Sequence, residues 1–240
     1  MDQVELFGVP VQNTDLQSAV DTLIDRAAFG QRTLAGFVNT HFVNLLLDEA
    51  MPRIITDRFD LWFADGAGVA MAAWLRGTRL AGNVNGTDMF PLLCRQAEAE
   101  NLSMFLFGAK PGIAETAGTN AKAKYGVDIA GTSNGFISDA DTEELIHTIN
   151  ESGADILLVG LGMPTQEEWI LEHSASLKPS VIVAVGGLFD FYSGAIPRAP
   201  KLMRSMHVEW LWRLAQEPTR LWRRYLLGIL KFGWRLRSVG

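Results

Sequence analysis

The chain has 240 residues, 48% of them hydrophobic, which suffices for one large cored domain or a domain with an appendage. Its net charge of −6 disfavours nucleic acid as a partner, and its single cysteine, Cys94, excludes an internal disulfide and fits a reducing compartment. The opening MDQVELFGVPVQ lacks the basic and apolar regions of a secretion signal, and no run reaches the ~18–20 apolar residues of a spanning helix. The tract LWFADGAGVAMAAWL comes nearest, interrupted by Asp65 and two glycines.

From residue 33 onward, short apolar runs alternate with amphipathic stretches. TLAGFVN (33–39) predicts a strand and HFVNLLLDEA a helix capped by Thr40. FDLWFA (59–64) predicts a strand and GAGVAMAAWL a helix; TDMFPLLCRQAEAE predicts a helix capped by Thr87. SMFLFG is a strand, followed by a helix from Pro111. VDIAG is a strand, followed by a capped helix over DADTEELIHTINESG. DILLVG, PTQEEWILEHSASL and SVIVAVGG repeat the theme. Alternating β and α units with apolar, β-branched strands predict an α/β fold, a Rossmann-like parallel sheet between helices.

The charge is unevenly placed. Residues 197–240 hold ten Arg/Lys, two Asp/Glu and four of the seven tryptophans, a net of +8 against −14 for the remainder. This predicts a body over 1–196 and a basic, Trp-rich helical appendage over 197–240. Pro218 forces a break near Glu217 and a new helix after it. Stepping that helix at 100° per residue places Leu221, Phe232, Tyr225, Leu236, Ile229, Trp222 and Leu226 on one side. Arg223, Arg220, Lys231, Arg224 and Arg235 fall on the other, and Arg237 violates the pattern. Such a helix lies on an anionic membrane surface, closes over a diphosphate, or packs its apolar face on the body.

Ligands of parallel sheets bind at the carboxyl ends of the strands. Four predicted strands end there in Asp65-Gly66, Gly108, Gly160 and Gly186-Gly187. Asp65 is either a helix N-cap or a desolvated carboxylate suited to general-base work. Gln166 and Glu167, in GLGMPTQEE, are either ordinary first-turn residues or cleft residues with Gln166 donating to a sugar or phosphate oxygen. Asp139 and Asp141 suit a helix start better than a metal pair, and the scattered histidines imply no metal. No dinucleotide fingerprint, P-loop or nucleophile elbow occurs.

Taken in order, FADGAGVAMA, NGTDM, FLFGAKPG, GTSNGF, DILLVGLGMPTQEEWI, AVGGLFDFYSGAIPRAP and EWLWRLAQEPTRLWRRY resemble the WecG/TagA/CpsF family of bacterial glycosyltransferases, from about residue 5 to 235. The resemblance implies an inverting, metal- and cofactor-independent enzyme. It would move a sugar, N-acetylmannosamine or glucose, from a UDP-sugar donor to a polyprenyl-diphosphate-linked sugar acceptor in surface polysaccharide or teichoic acid assembly. It implies Asp65 as catalytic base. Asn39, Thr40, Gly66, Gly86, Asp88, Gly108, Gly160, Gln166, Glu167 and Gly186 are candidate substrate-binding residues, and Arg213, Arg220 and Arg223 would meet the acceptor diphosphate. It also implies a peripheral place on the cytoplasmic face of the plasma membrane and leaves a homo-oligomer open. Phe37 stands where the family often has threonine, and Thr165 where it often has lysine. The competing class is a non-catalytic nucleotide- or polyanion-binding module.

Overall fold

The computed structural model describes residues 2–200, 203 and 209–236, with the side chains of Asp139 and Arg220 outside the description. Eight strands form one sheet: β1 (Gln3–Leu6), β2 (Val9–Gln12), β3 (Thr33–Val38), β4 (Leu61–Ala64), β5 (Ser103–Gly108), β6 (Asp128–Ser133), β7 (Ile156–Gly160) and β8 (Val181–Ala184). Their order is β1-β2-β4-β3-β8-β7-β5-β6, and every pairing is parallel except the β1–β2 hairpin at one edge. All six predicted strands are present. The hairpin and the first helix, α1 (Leu16–Ala28), precede the first predicted element.

Strands β3, β4, β7 and β8 are buried along their whole length, because helices cover both faces. Alternation along β4 sends Trp62 into one core and Leu61 and Phe63 into the other. Beside Trp62 pack α2 (Thr40–Leu47), α3 (Ile54–Arg58), α4 (Ala67–Leu75), α7 (Thr142–Glu151) and α8 (Thr165–His173). Beside Phe63 pack α1, α5 (Gly86–Ala99), α6 (Ile113–Tyr125) and α9 (Leu188–Tyr192).

Several helix starts differ from the sequence reading. Asn39, not Thr40, caps α2, accepting from the His41 and Phe42 amides at 3.0 Å each. Asn85, not Thr87, caps α5, and the bond is reciprocal: Asp88 N–H donates to Asn85 Oδ1, and Asn85 Nδ2 to Asp88 Oδ2, both at 2.8 Å. A side-chain carbonyl two or three residues ahead of the free amides competes better than a hydroxyl inside the first turn. Helix α6 starts two residues after Pro111, at Ile113, and α7 is preceded by a 3₁₀ turn over Asp139–Asp141.

The tail breaks at Glu217 and restarts at Pro218, as its proline requires. Its described helices are α10 (Glu209–Gln216), α11 (Pro218–Trp222) and α12 (Gly228–Leu236), with a π turn over Arg223–Leu227 joining the last two. Leu221, Phe232 and Leu236 are buried, and Phe232 meets Phe7 with ring centroids 5.7 Å apart. The predicted two-faced helix is corrected beyond that. Arg235 is buried, donating to Asn44 O (3.1 Å) and Oδ1 (2.8 Å) and pairing with Asp48, which also binds Lys231. Trp222, Leu226 and Ile229 are instead exposed, with Leu230 and Trp234. The π turn adds a residue to the winding, so a constant 100° step loses register there.

Candidate active site

Asp65 follows β4 directly. Its N–H donates to Val38 O at 2.9 Å, so pairing with β3 extends one residue beyond the strand and fixes the backbone beneath the carboxylate. The capping alternative does not hold. Gly66 is the N-cap of α4, at φ 95°, and makes no side-chain cap; its N–H donates to Asn83 Oδ1 at 2.6 Å. A residue with a Cβ would be strained there.

The Asp65 side chain is therefore free to meet Asn39, at the end of neighbouring β3. Two backbone N–H groups bind the Asn39 oxygen, so its amide nitrogen must face away from the helix. It faces Asp65 Oδ2 at 3.4 Å. Solvent reaches part of Asp65, but protein surrounds most of it, and this desolvation pushes its carboxyl up from 3.8 to about 6. The Asn39 bond and the Arg224 charge oppose the shift, and the Glu209 and Asp88 charges reinforce it. His41, next to the site, is pushed down to about 4 by burial and by Arg224, and so is neutral near pH 7.

Because the strands are parallel, Asn39, Asp65, Gly108, Gly160 and Gly186 all lie on the same carboxyl edge. Gly108 has φ 137°, and a Cβ there would lie 2.4 Å from Gly160 O; the two strand ends touch only because the residue is glycine. Gly86 opens α5, where a Cβ would meet the Phe37 ring at 3.7 Å. Phe37 itself is buried and packs on Phe63. Thr40 faces α4 at Gly68.

Gln166 repeats the logic of Asn39. Its Oε1 accepts from Gly162 N–H (3.1 Å) and Gly186 N–H (2.8 Å), tying the loops after β7 and β8 together. Its Nε2 must then face Glu167, and donates to Oε1 at 2.8 Å. Both side chains are buried, with the polar atoms of Gln166 engaged by Gly162, Gly186 and Glu167. Glu167 Oε2 has no hydrogen-bond partner, and burial pushes this carboxyl up from 4.5 to about 7.

The tail reaches the same edge. Arg213 Nη2 lies against Gly187, where a Cβ would be 2.4 Å away, and its guanidinium sits 5.2 Å over the Phe191 ring. Arg198 pairs with Asp88 and lies 3.6 Å from Glu209, linking the start of α5 to α10. Arg223 is exposed, over the Trp222 ring at 5.3 Å; Arg220 lies in α11 with its side chain outside the described residues. The sequence reading missed Asn83, Arg198, Glu209 and Arg224 as neighbours of the site. Arg198 opens the R-A-P block, and Arg224 directly follows Arg223.

The chain matches the glycosyl transferase WecG/TagA/CpsF family over residues 4–239. It belongs to that family. A relative is the N-acetylglucosaminyldiphosphoundecaprenol N-acetyl-beta-D-mannosaminyltransferase of Bacillus spizizenii strain W23, 37% identical over 168 residues. The match covers 70% of this chain and 64% of the relative, so the chain spans just under two thirds of that protein's length. Among the described residues no helix is long and apolar enough to cross a membrane, and no three His, Cys, Asp or Glu side chains converge as a metal-binding group.

Proposed function

We propose that the protein is an inverting, metal-independent glycosyltransferase. It moves an N-acetylmannosamine-type sugar or glucose from a UDP-sugar to a polyprenyl-diphosphate-linked sugar acceptor at the cytoplasmic membrane face. The observation that carries this reading is Asp65: a carboxylate free of capping duty, at a strand's carboxyl end, oriented by Asn39 and poised near neutrality. Family membership and the relative's printed activity support the same reaction class.

A sugar hydroxyl is a weak nucleophile at neutral pH. Asp65 takes its proton as the oxygen bonds to the donor's anomeric carbon. The bond from that carbon to the UDP oxygen breaks on the opposite side, inverting the centre. A base of pKa about 6 is ionised at pH 7 yet more basic than an ordinary aspartate. Gly66 and Gly186, with open space where a Cβ would stand, let the donor approach the backbone, Gly108 and Gly160 keep the adjoining strand ends in contact, and Asn39, Thr40, Gly86 and Asp88 lie around the donor. Gln166 holds two of the loops, and Glu167 supports Gln166. Arg213, Arg220 and Arg223 offer positive charge to the acceptor diphosphate.

Purified protein tests this with a panel of UDP-sugars, a short-chain polyprenyl-diphosphate sugar acceptor, and EDTA. Acceptor-dependent UDP release that survives EDTA is the expected result. UDP-sugar binding without turnover would mark the binding-module class instead, and a restorable Mg²⁺ or Mn²⁺ requirement would refute the metal-independent chemistry.

A further inference from the structure

The helix that begins two residues after Asp65 has no polar side chain over Ala67–Leu75. Val69, Ala72 and Ala73 of α4 are buried against the sheet. Ala67, Ala70, Met71, Trp74 and Leu75 are exposed, with the i, i+3, i+4, i+7, i+8 spacing that normally marks a buried stripe. Trp74 is 69% exposed, Leu75 50% and Met71 47%. Single exposed apolar residues are ordinary, but a continuous stripe marks a surface that something covers.

Three observations say what covers it. The stripe ends in Arg76 and Arg79, both exposed, which suits anionic headgroups beside an inserted Trp and Leu. The tail packs beside it and carries exposed apolar residues of its own. Phe232 of α12 lies against Gly68, where a Cβ would be 3.3 Å from its ring. On α12, Leu230 and Trp234 lie roughly 160–200° from Phe232, facing away from the body, and are 72% and 71% exposed. Finally, at ~1.5 Å of rise per residue the stripe runs only about 12 Å from the end next to Asp65, on the order of a headgroup layer's depth.

We propose that the outward face of α4 is a bilayer-docking surface. Met71, Trp74 and Leu75 enter the headgroup–acyl boundary of anionic phospholipid, and Arg76 and Arg79 meet its phosphates. The docking is independent of the chemistry; its purpose, presenting Asp65 to a lipid-linked hydroxyl, rests on the proposed function.

Flotation with phosphatidylglycerol-containing vesicles tests it, using full-length protein and the double variant Met71→Ser/Trp74→Ser. Losing two side chains from a lipid interface should weaken vesicle binding about 10- to 100-fold. The melting temperature and turnover of a short-chain, water-soluble acceptor should stay near wild type. In a second measurement, Met71→Cys carries an environment-sensitive fluorophore, Cys94 being buried. Its emission should shift to the blue on adding vesicles. Unchanged vesicle affinity in the double variant, no blue shift, or a wild-type protein that binds no vesicles overturns the proposal. So does a variant that binds vesicles normally but loses oligomeric mass, since a second copy then covers the face. Wild-type protein that turns over no UDP-sugar refutes the proposed function, while the vesicle arms still decide the docking.

Discussion

Asp65→Asn should remove activity and raise stability together. The Asp65 carboxyl stands at about 6 in the folded chain against 3.8 ordinarily. Below 3.8 the group is protonated in both folded and unfolded chains. Between 3.8 and 6 only the folded chain retains the proton, and above 6 both are ionised, the folded one at the full cost of desolvation. Stability therefore falls as pH rises through this window. At 1.36 kcal/mol per pH unit the cost is at most about 3 kcal/mol. Solvent reaching the cleft screens it, leaving roughly 1–2 kcal/mol. Asparagine keeps the contact to Asn39 without the charge, so at pH 7.5 the variant should melt roughly 2–8 °C higher, at ~2–4 °C per kcal/mol for a chain of this size. Transfer should fall roughly 10²- to 10⁴-fold, the usual scale for losing a general base, with UDP-sugar binding retained. Thermal melts, calorimetric UDP-sugar titration and a transfer assay on one preparation read all three. A variant that melts lower, or keeps near-normal kcat, would refute the reasoning, because a purely structural aspartate costs stability when replaced.

Gln166→Leu leaves the Gly162 and Gly186 amides without their acceptor and Glu167 without its donor. Chemical denaturation should show a loss of roughly 2–5 kcal/mol. Glu167, pushed from 4.5 to about 7, should make wild-type stability fall as pH rises between those values, where the folded chain holds a proton that the unfolded one has lost. Glu167→Gln should flatten that slope and be roughly 1–3 kcal/mol more stable at pH 8, read from denaturation midpoints across pH. Asp48→Ala removes the carboxylate shared by Lys231 and buried Arg235. Trypsin should then cut within 223–235 several times faster, while the body's melting changes by no more than about 1–3 kcal/mol.

The sheet was legible because its strands are buried on both faces and so read as unbroken apolar runs such as ILLVG and LWFA. The β1–β2 hairpin was not, since Gln3 and Glu5 on its exposed edge dilute the apolar signal. Cap identity depended on geometry: Asn39 and Asn85 each precede the hydroxyl residue that sequence patterns favour. Asp65 stood out because a carboxylate after four buried residues is chemically expensive. Two of its electrostatic neighbours did not, because Arg224 and Glu209 come from distant segments that only folding brings together; Asp88 was named only through the family resemblance. Gln166 showed the reverse. Its motif drew the eye, but the two amides it binds belong to loops 24 residues apart in the chain, Gly162 and Gly186.

The central claim is that Asp65, held near pKa 6, is the base that activates the acceptor. The pH dependence of kcat/KM for the short-chain acceptor tests it most directly. It should rise with an apparent pKa near 6 and level off by about pH 7.5, and the residual activity of Asp65→Asn should lack that limb. A profile flat from pH 5 to about 8, or the same rising limb in Asp65→Asn, would contradict it.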